Sequence, residues 1–364
     1  MTELDNSNDV SSDGPRLSPY LPTEPIEGDH IYVSTFALAW RKLRELAGGE
    51  VRVEGAPAWL DAIARSAISE ADVPPKTLVA VAGFGPPAVE EVYREMDATF
   101  GDDAESPVLP PLATDALLVF AHLQVALEFE EPFELEKKEG MLFGDVRVKR
   151  FGCQRIPDRW REVAKQIVVH HYRSETDFVI EILTKNEATR LLVARTPGQT
   201  GMADRVAHSI AQAGREKPDA ATGSQNLLMH DCLWIPLVRI KEARRYHEIV
   251  GRNVCGERDL GPIGAMVQDV KLLLDERGVS LLSSFVIVAN SVTLRPARRI
   301  VCDGPFLLVV IRNGSAEPLA AAAIETPRWL VPIGEPDDVT VRNVVESGRT
   351  YEIEDILELL GHKL

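Results

Sequence analysis

A chain of 364 residues with 45% hydrophobic content has enough apolar surface for one large domain or two small ones. A formal net charge of −16 and a pI near 5.0 argue against a nucleic-acid partner or an anionic membrane surface. Four scattered cysteines (Cys153, Cys232, Cys255, Cys302) have neither metal-ligand nor redox spacing, and no basic-then-apolar leader is present, so the default is a thiol-reduced cytoplasmic protein.

Residues 1–28 are rich in Asp, Glu, Ser, Asn and Pro and read as a disordered acidic tail. The stretch "IYVSTFALAWRKLRELA" (31–47) starts as a strand and becomes a helix, with Ser34 or Thr35 as its cap. Two more helices are expected over 56–70 and 86–98, the second with Pro86 or Pro87 in its first turn. "GDDAESPVLPPLATD" (101–115) is a loop or linker. "DALLVFAHLQVALEF" (115–129) fits a long buried strand or a helix, and periodicity does not decide between them.

From about residue 141 the chain is β-rich. Expected strands are "MLFGDVRVKRF", "KQIVVHHY", "DFVIEIL", "RLLVART", "LWIPLVRI", "VKLLL", "SSFVIVAN" and "PFLLVVIRN", with helices at 157–166, 202–214 and 242–252. Strands and helices that do not alternate regularly point to an α+β fold. The main domain is expected over 29–330. Residues 331–364 form a C-terminal extension, in which "TYEIEDILELLGHKL" (350–364) places Ile353, Ile356, Leu357 and Leu360 on one face of a short amphipathic helix.

Chemical motifs are sparse. "GFGPP" (83–87) lacks the third glycine of a dinucleotide loop and reads as a turn, and "RTPGQTG" (195–201) has no phosphate-binding lysine. On a regular strand His170 and His171 point to opposite faces, so one is expected packed and the other exposed, with no shared metal. No HExxH or GxSxG pattern occurs. The expectation is a protein that is not an enzyme, with no cofactor, no metal and no catalytic residue.

Three blocks carry a resemblance. "VQDVKLLLDERGVSLLSS" (267–284) resembles the serpin strand that leads into the reactive-centre loop: an apolar strand, an acidic pair, one further residue, then glycine and small residues. "DGPFLLVVIRNGSAEPLAAAAIE" (303–325) resembles the serpin C-terminal hairpin. "TDALLVFAHLQVALEFEEPFE" (114–134) resembles the central-sheet strand ending in an aromatic and a Pro-Phe pair. "HIYVSTFALAWRKL" and "LWIPLVRIKEARRYHEIV" are weaker matches, and the order covers roughly residues 30–330.

The resemblance implies an α+β, serpin-like fold: a large mixed central β-sheet, a smaller sheet, a reduced set of helices and an exposed reactive-centre-like loop. Glu276, Arg277, Gly278 and Val279 would form its hinge, and Gly278 would turn without a Cβ penalty. The loop 278–294 would be cut by a protease at a scissile bond near Val292 or Leu294. Val292, Thr293 and Leu294 are therefore the candidate reactive centre, suited to an elastase-like or chymotrypsin-like protease. The strand-like run from Val279 to Ala289 would enter the sheet after cleavage. The implied function is protease binding, as a suicide inhibitor or a cleavable sensor; the alternative is a non-inhibitory binding or scaffold protein with another protein as partner.

This sequence departs from the family pattern at several places. Leu281 and Phe285 are large for positions that the family fills with small residues, and overpacking costs roughly 1–3 kcal/mol per site. Slow insertion would make the protein a substrate. Phe129 stands where a tryptophan is usual, Gln268 where a histidine is usual and Ala121 where an asparagine is usual, so the polar network beneath the opening sheet should be altered or absent.

Overall fold

The computed structural model describes residues 16–101, 109, 112–125, 127–154, 160–215, 222–263, 266–279 and 297–334. The expected strand "SSFVIVAN", the C-terminal helix over 350–364 and the candidate reactive centre Val292, Thr293 and Leu294 lie outside the described residues.

Residues 16–28, read from the sequence as part of the acidic tail, lie among the described residues. Arg16–Ser18 forms strand β1, parallel to β2 (His30–Val33). Leu17 is buried, its carbonyl accepts a hydrogen bond from Arg244 Nη1 at 3.1 Å, and Leu21 and Ile26 pack onto a neighbouring apolar cluster. These three residues, diluted among polar neighbours, anchor the segment.

After β2 comes α1 (Thr35–Ala47), with Ser34 at the N-cap, though its hydroxyl makes no capping bond. Phe36, Trp40, Leu43 and Ala47 bury one face of α1, Leu38 is buried on the other side, and Gly48, at φ 85°, ends the helix in the left-handed conformation that glycine adopts freely. Then follow β3 (Arg52–Val53), α2 (Trp59–Arg65), β4 (Leu78–Phe84) and α3 (Gly85–Phe100). The prolines of "GFGPP" lie in the first turn of α3, as expected, so this stretch is a strand-to-helix junction. The ambiguous segment after the linker is β5 (Leu117–Leu123), paired antiparallel with β4 over all seven residues.

The chain continues through β6 (Leu127–Glu128), β7 (Glu134–Phe143), β8 (Val146–Gln154), α4 (Trp160–Lys165), β9 (Ile167–Ser174), β10 (Asp177–Ile182), β11 (Thr189–Arg195) and α5 (Met202–Ala213). The second half contains β12 (Cys232–Pro236), β13 (Val238–Arg245), β14 (Asn253–Cys255), β15 (Gly261–Pro262), β16 (Val267–Leu274), β17 (Gly278–Val279), β18 (Arg299–Val301), β19 (Phe306–Arg312) and β20 (Ala320–Ile324). The helix expected over 242–252 is not formed. β13 runs on to Arg245 because β16 offers it an eight-residue antiparallel ladder, and Tyr246 is then buried against Phe36, their rings 5.0 Å apart.

A seven-stranded sheet has the order β1-β2-β20-β19-β11-β10-β9 and is antiparallel except at β1–β2; a four-stranded sheet has the order β18-β12-β8-β7. The fold is α+β, with several sheets and few helices. One face of the large sheet joins the main core through Ile31, Val169, Ile180, Val193, Leu308 and Ala322; the other is covered by α5 through Met202 and Val206. No helix among the described residues is long and apolar enough to cross a membrane.

The histidine pair departs from expectation. His171 lies opposite Val179 and Val169 opposite Ile180, which leaves His170 as the extra residue of a β-bulge. The bulge breaks the alternation of faces. His170 Nε2 meets Glu181 Oε2 at 2.8 Å, His171 Nε2 meets Asp177 Oδ1 at 3.2 Å, and both rings are buried, 7% and 3% exposed.

Candidate functional site

β16 leads into the expected hinge. Its even-numbered residues Gln268, Val270 and Leu274 are buried, in the period-two pattern of a half-buried strand. At the buried Asp275 the chain reverses. Asp275 Oδ1 accepts a hydrogen bond from Arg277 N at 2.8 Å, and Asp275 O accepts one from Gly278 N at 3.3 Å. Aspartate stabilises such turns by bonding backbone two residues on.

Gly278 and Val279 then pair antiparallel with Glu128 and Leu127 of β6. Two further bonds hold the turn: Phe129 N donates to Arg277 O at 2.9 Å, and Phe133 N donates to Glu276 O at 2.8 Å. Gly278 has φ 118°, and a Cβ there would stand 2.5 Å from both Leu127 O and Phe129 N. Glycine is thus required twice, by its dihedral and by the approach of β6.

β6 is held from its other side as well. Lys185 N donates to Glu128 O, and Lys185 Nζ to Glu128 Oε2, both at 2.9 Å. Phe129 stands edge-on to Phe133 with ring centres 5.0 Å apart, and both pack on Phe151. The buried Gln166 donates to Glu131 O and accepts from Glu131 N. Burial, then the nearby carboxylates of Glu131 and Glu187, push Glu130 above the usual carboxylate range.

The strand directions define a slot. β17 is antiparallel to β6, and the bridge between Asp275 and Gly278 makes it antiparallel to the end of β16. Among the described residues, β5 pairs with β4 alone and β16 runs beside β13, so two ribbons are joined only at one end, by the hinge. α1 lies against β4 and β5. It also meets β16 through Gln268, whose Nε2 donates to Thr35 Oγ1 at 3.0 Å and to Val33 O at 3.3 Å. Tyr246 OH donates to Gln268 Oε1 at 2.7 Å. The polar network beneath the ribbons is therefore altered, not absent, with Gln268 at its centre.

Glu276, Arg277, Gly278 and Val279 thus come together against β6, a partner that sequence reading did not identify. The chain that resumes after residue 296 is fixed just as firmly. Arg298 is buried, its Nη2 is 2.7 Å from Asp231 Oδ2, and its guanidinium also donates to Ser224 O and Asn226 O. A buried ion pair satisfied by extra backbone acceptors costs several kcal/mol to break. An arginine two residues after Pro296 gave no signal in the sequence, because its carbonyl acceptors are more than sixty residues away. Among the described residues no group of three or more His, Cys, Asp or Glu is placed to hold a metal ion.

No protein-family model matches the chain, and no curated protein matches its sequence. Solved structures do. The serine protease inhibitor (serpin)-12 of Manduca sexta is 13% identical, with 83% of this chain and 94% of that one covered and a TM-score of 0.47. A tumour suppressing serpin is 10% identical, over 69% and 76% of the two chains, at 0.42. A serpin of the trematode Schistosoma haematobium is 12% identical, over 66% and 63%, at 0.38.

Proposed function

We propose that the chain is a serpin-like protein that binds a protease through the loop 278–294, with Val292, Thr293 and Leu294 meeting the protease's specificity pocket. The observation that supports this most directly is the start of β17. Out of the β16 turn, Gly278 and Val279 already run antiparallel to β6 at the mouth of the slot. Continuing the same register would set Ser283 opposite Leu123 and Ala289 opposite Leu117, the two ends of β5. In this register the strand-like run from Val279 to Ala289 would reach from Leu127 of β6 to Leu117 at the start of β5. While the loop is uncut, Arg298 and Gly278 pin its two ends, and free energy of burial and pairing goes unrealised.

The register also answers the large side chains. Leu117, Val119 and Leu123 lie against the main core, so odd-numbered positions of an entering strand would face inward. Phe285 would then oppose Ala121, a large residue beside a small one, the pairing that lets layers interdigitate. Leu281 has no such compensation, which favours slow insertion and the cleavable-sensor form over rapid inhibition.

The test is incubation with an elastase-like and a chymotrypsin-like serine protease, followed by denaturing gel electrophoresis and mapping of the cut. Cleavage within 292–295 is expected. A covalent adduct that survives SDS identifies an inhibitor, and clean cleavage without an adduct identifies a sensor. Resistance of this segment to both enzymes overturns the reading in favour of a scaffold that keeps the fold without the switch, a reading supported by the firm pinning of the hinge on β6.

A further inference from the structure

The bulged β9 and the helix α5 enclose a second site, on the face of the seven-stranded sheet away from the slot. A cleft of about 210 Å³ lies there, lined by His171, Arg173, Asp177, His208, Gln212 and Arg215 among others. A liquid water occupies roughly 30 Å³, so the space suits a ligand of several heavy atoms. Its lining carries two guanidinium groups and two imidazoles against a single carboxylate, in a chain of net charge −16.

That carboxylate is already engaged. Asp177 Oδ1 meets His171 Nε2 at 3.2 Å, and its Oδ2 lies 4.0 Å from Arg173 Nη1. Arg215, exposed at the end of α5, has no ion pair among the described residues. His171 is buried, and its Nδ1 has no hydrogen-bond partner. The Gln212 Oε1 is likewise buried and unpartnered, while its Nε2 stands 3.5 Å from His208 Nε2. Turned over, the amide would accept from the imidazole and offer its NH₂ to the cleft. Buried polar groups left without partners are uncommon and costly, and a ligand that accepts from the turned Gln212 amide relieves its cost.

We propose that this cleft binds a small tetrahedral oxyanion of the phosphate or sulfate type, held by Arg215, Arg173 and His208. Guanidinium groups form charge-assisted bonds with such oxygens. Binding is linked to protons. Burial, then the charges of His171, Arg215 and Arg173, hold His208 below the ordinary histidine range, with Asp177 opposing them. An anion in the cleft raises that value, so binding takes up a proton at His208 and strengthens as pH falls through the bound-state value.

Isothermal titration of sulfate, and separately of inorganic phosphate, into the intact protein tests this at about pH 6 and about pH 8, in sodium chloride of matched ionic strength. Sulfate keeps its charge across this range, so a pH effect on its binding reports the protein. The expected result is saturable binding of both anions, with sulfate tighter at the lower pH. Arg215→Gln, on an exposed side chain, is expected to weaken binding roughly tenfold at both pH values, and His208→Gln to remove the pH dependence while the thermal midpoint without anion stays in place. Absence of binding beyond the chloride control, or sulfate binding indifferent to Arg215→Gln, overturns the proposal.

Discussion

Gly278 combines a dihedral that side-chain-bearing residues avoid with backbone contacts that leave no room for a Cβ. Gly278→Ala is expected to cost on the order of 1–3 kcal/mol, as residues forced into sparse backbone regions do, and to free the hinge from β6. Urea unfolding checks the first effect, and hydrogen exchange at Phe129 N the second. An unchanged urea midpoint would show that the pairing with β6 is not tight. A different chemistry governs Glu181. Burial raises its carboxyl pKa, but hydrogen bonds from His170 and Arg190 outweigh that and hold it below the ordinary 4.5. A depressed folded-state value stabilises the fold above the ordinary carboxylate range, and the contribution is lost as pH falls through the folded value. Urea midpoints measured from neutral pH to about pH 3 should therefore fall steeply in the native protein. Glu181→Gln should start lower at neutral pH, because Arg190 and His170 lose a charged partner, and show a shallower acid limb.

At the scale of elements, legibility followed the strength of the local pattern. α1 and α3 combine amphipathic spacing with clear end signals, Gly48 after one and Pro86 and Pro87 opening the other, and both stand where they were read. The hairpin of β19 and β20 was plain because Phe306–Arg312 and Ala320–Ile324 are apolar on both faces and bracket a turn. β1 was hidden because one buried Leu17 does not lift a polar window, and the end of β13 read as a helix because nothing local records its partner β16. The bulge at His170 was equally invisible, since one inserted residue changes facing without changing composition. The break after β16 was legible as a motif, whereas the strand that clamps it was not, because Leu127, Glu128, Phe129 and Phe133 are remote in sequence. The slot itself carries a prediction. Ala121 is half-buried on β5, opposite Ala80 of β4. Ala121→Leu should shift the stability of the uncut protein by less than about 1 kcal/mol. In the cut protein it would crowd Phe285, costing roughly 1–3 kcal/mol and reducing any gain in thermal midpoint.

Among the described residues, two ribbons and the seven-, four- and three-stranded sheets pack around one main core, and the chain is fastened on both sides of residues 280–296. At one end the Asp275 turn and β6 hold Gly278; at the other, the buried Arg298–Asp231 pair holds the start of β18 against β12. On the proposed reading, a loop over 280–296 tied at both posts would stay out of the slot until it is cut. Cutting near Val292 would leave the segment after Gly278 long enough to lie along β5 while Arg298 stays in place. The most direct measurement is the thermal midpoint before and after a nonspecific protease nicks the chain between residues 280 and 296. A new strand contributes several kcal/mol, so a rise of ~10 °C or more is expected. A midpoint that stays unchanged or falls would contradict strand entry and leave the slot a fixed feature of the fold.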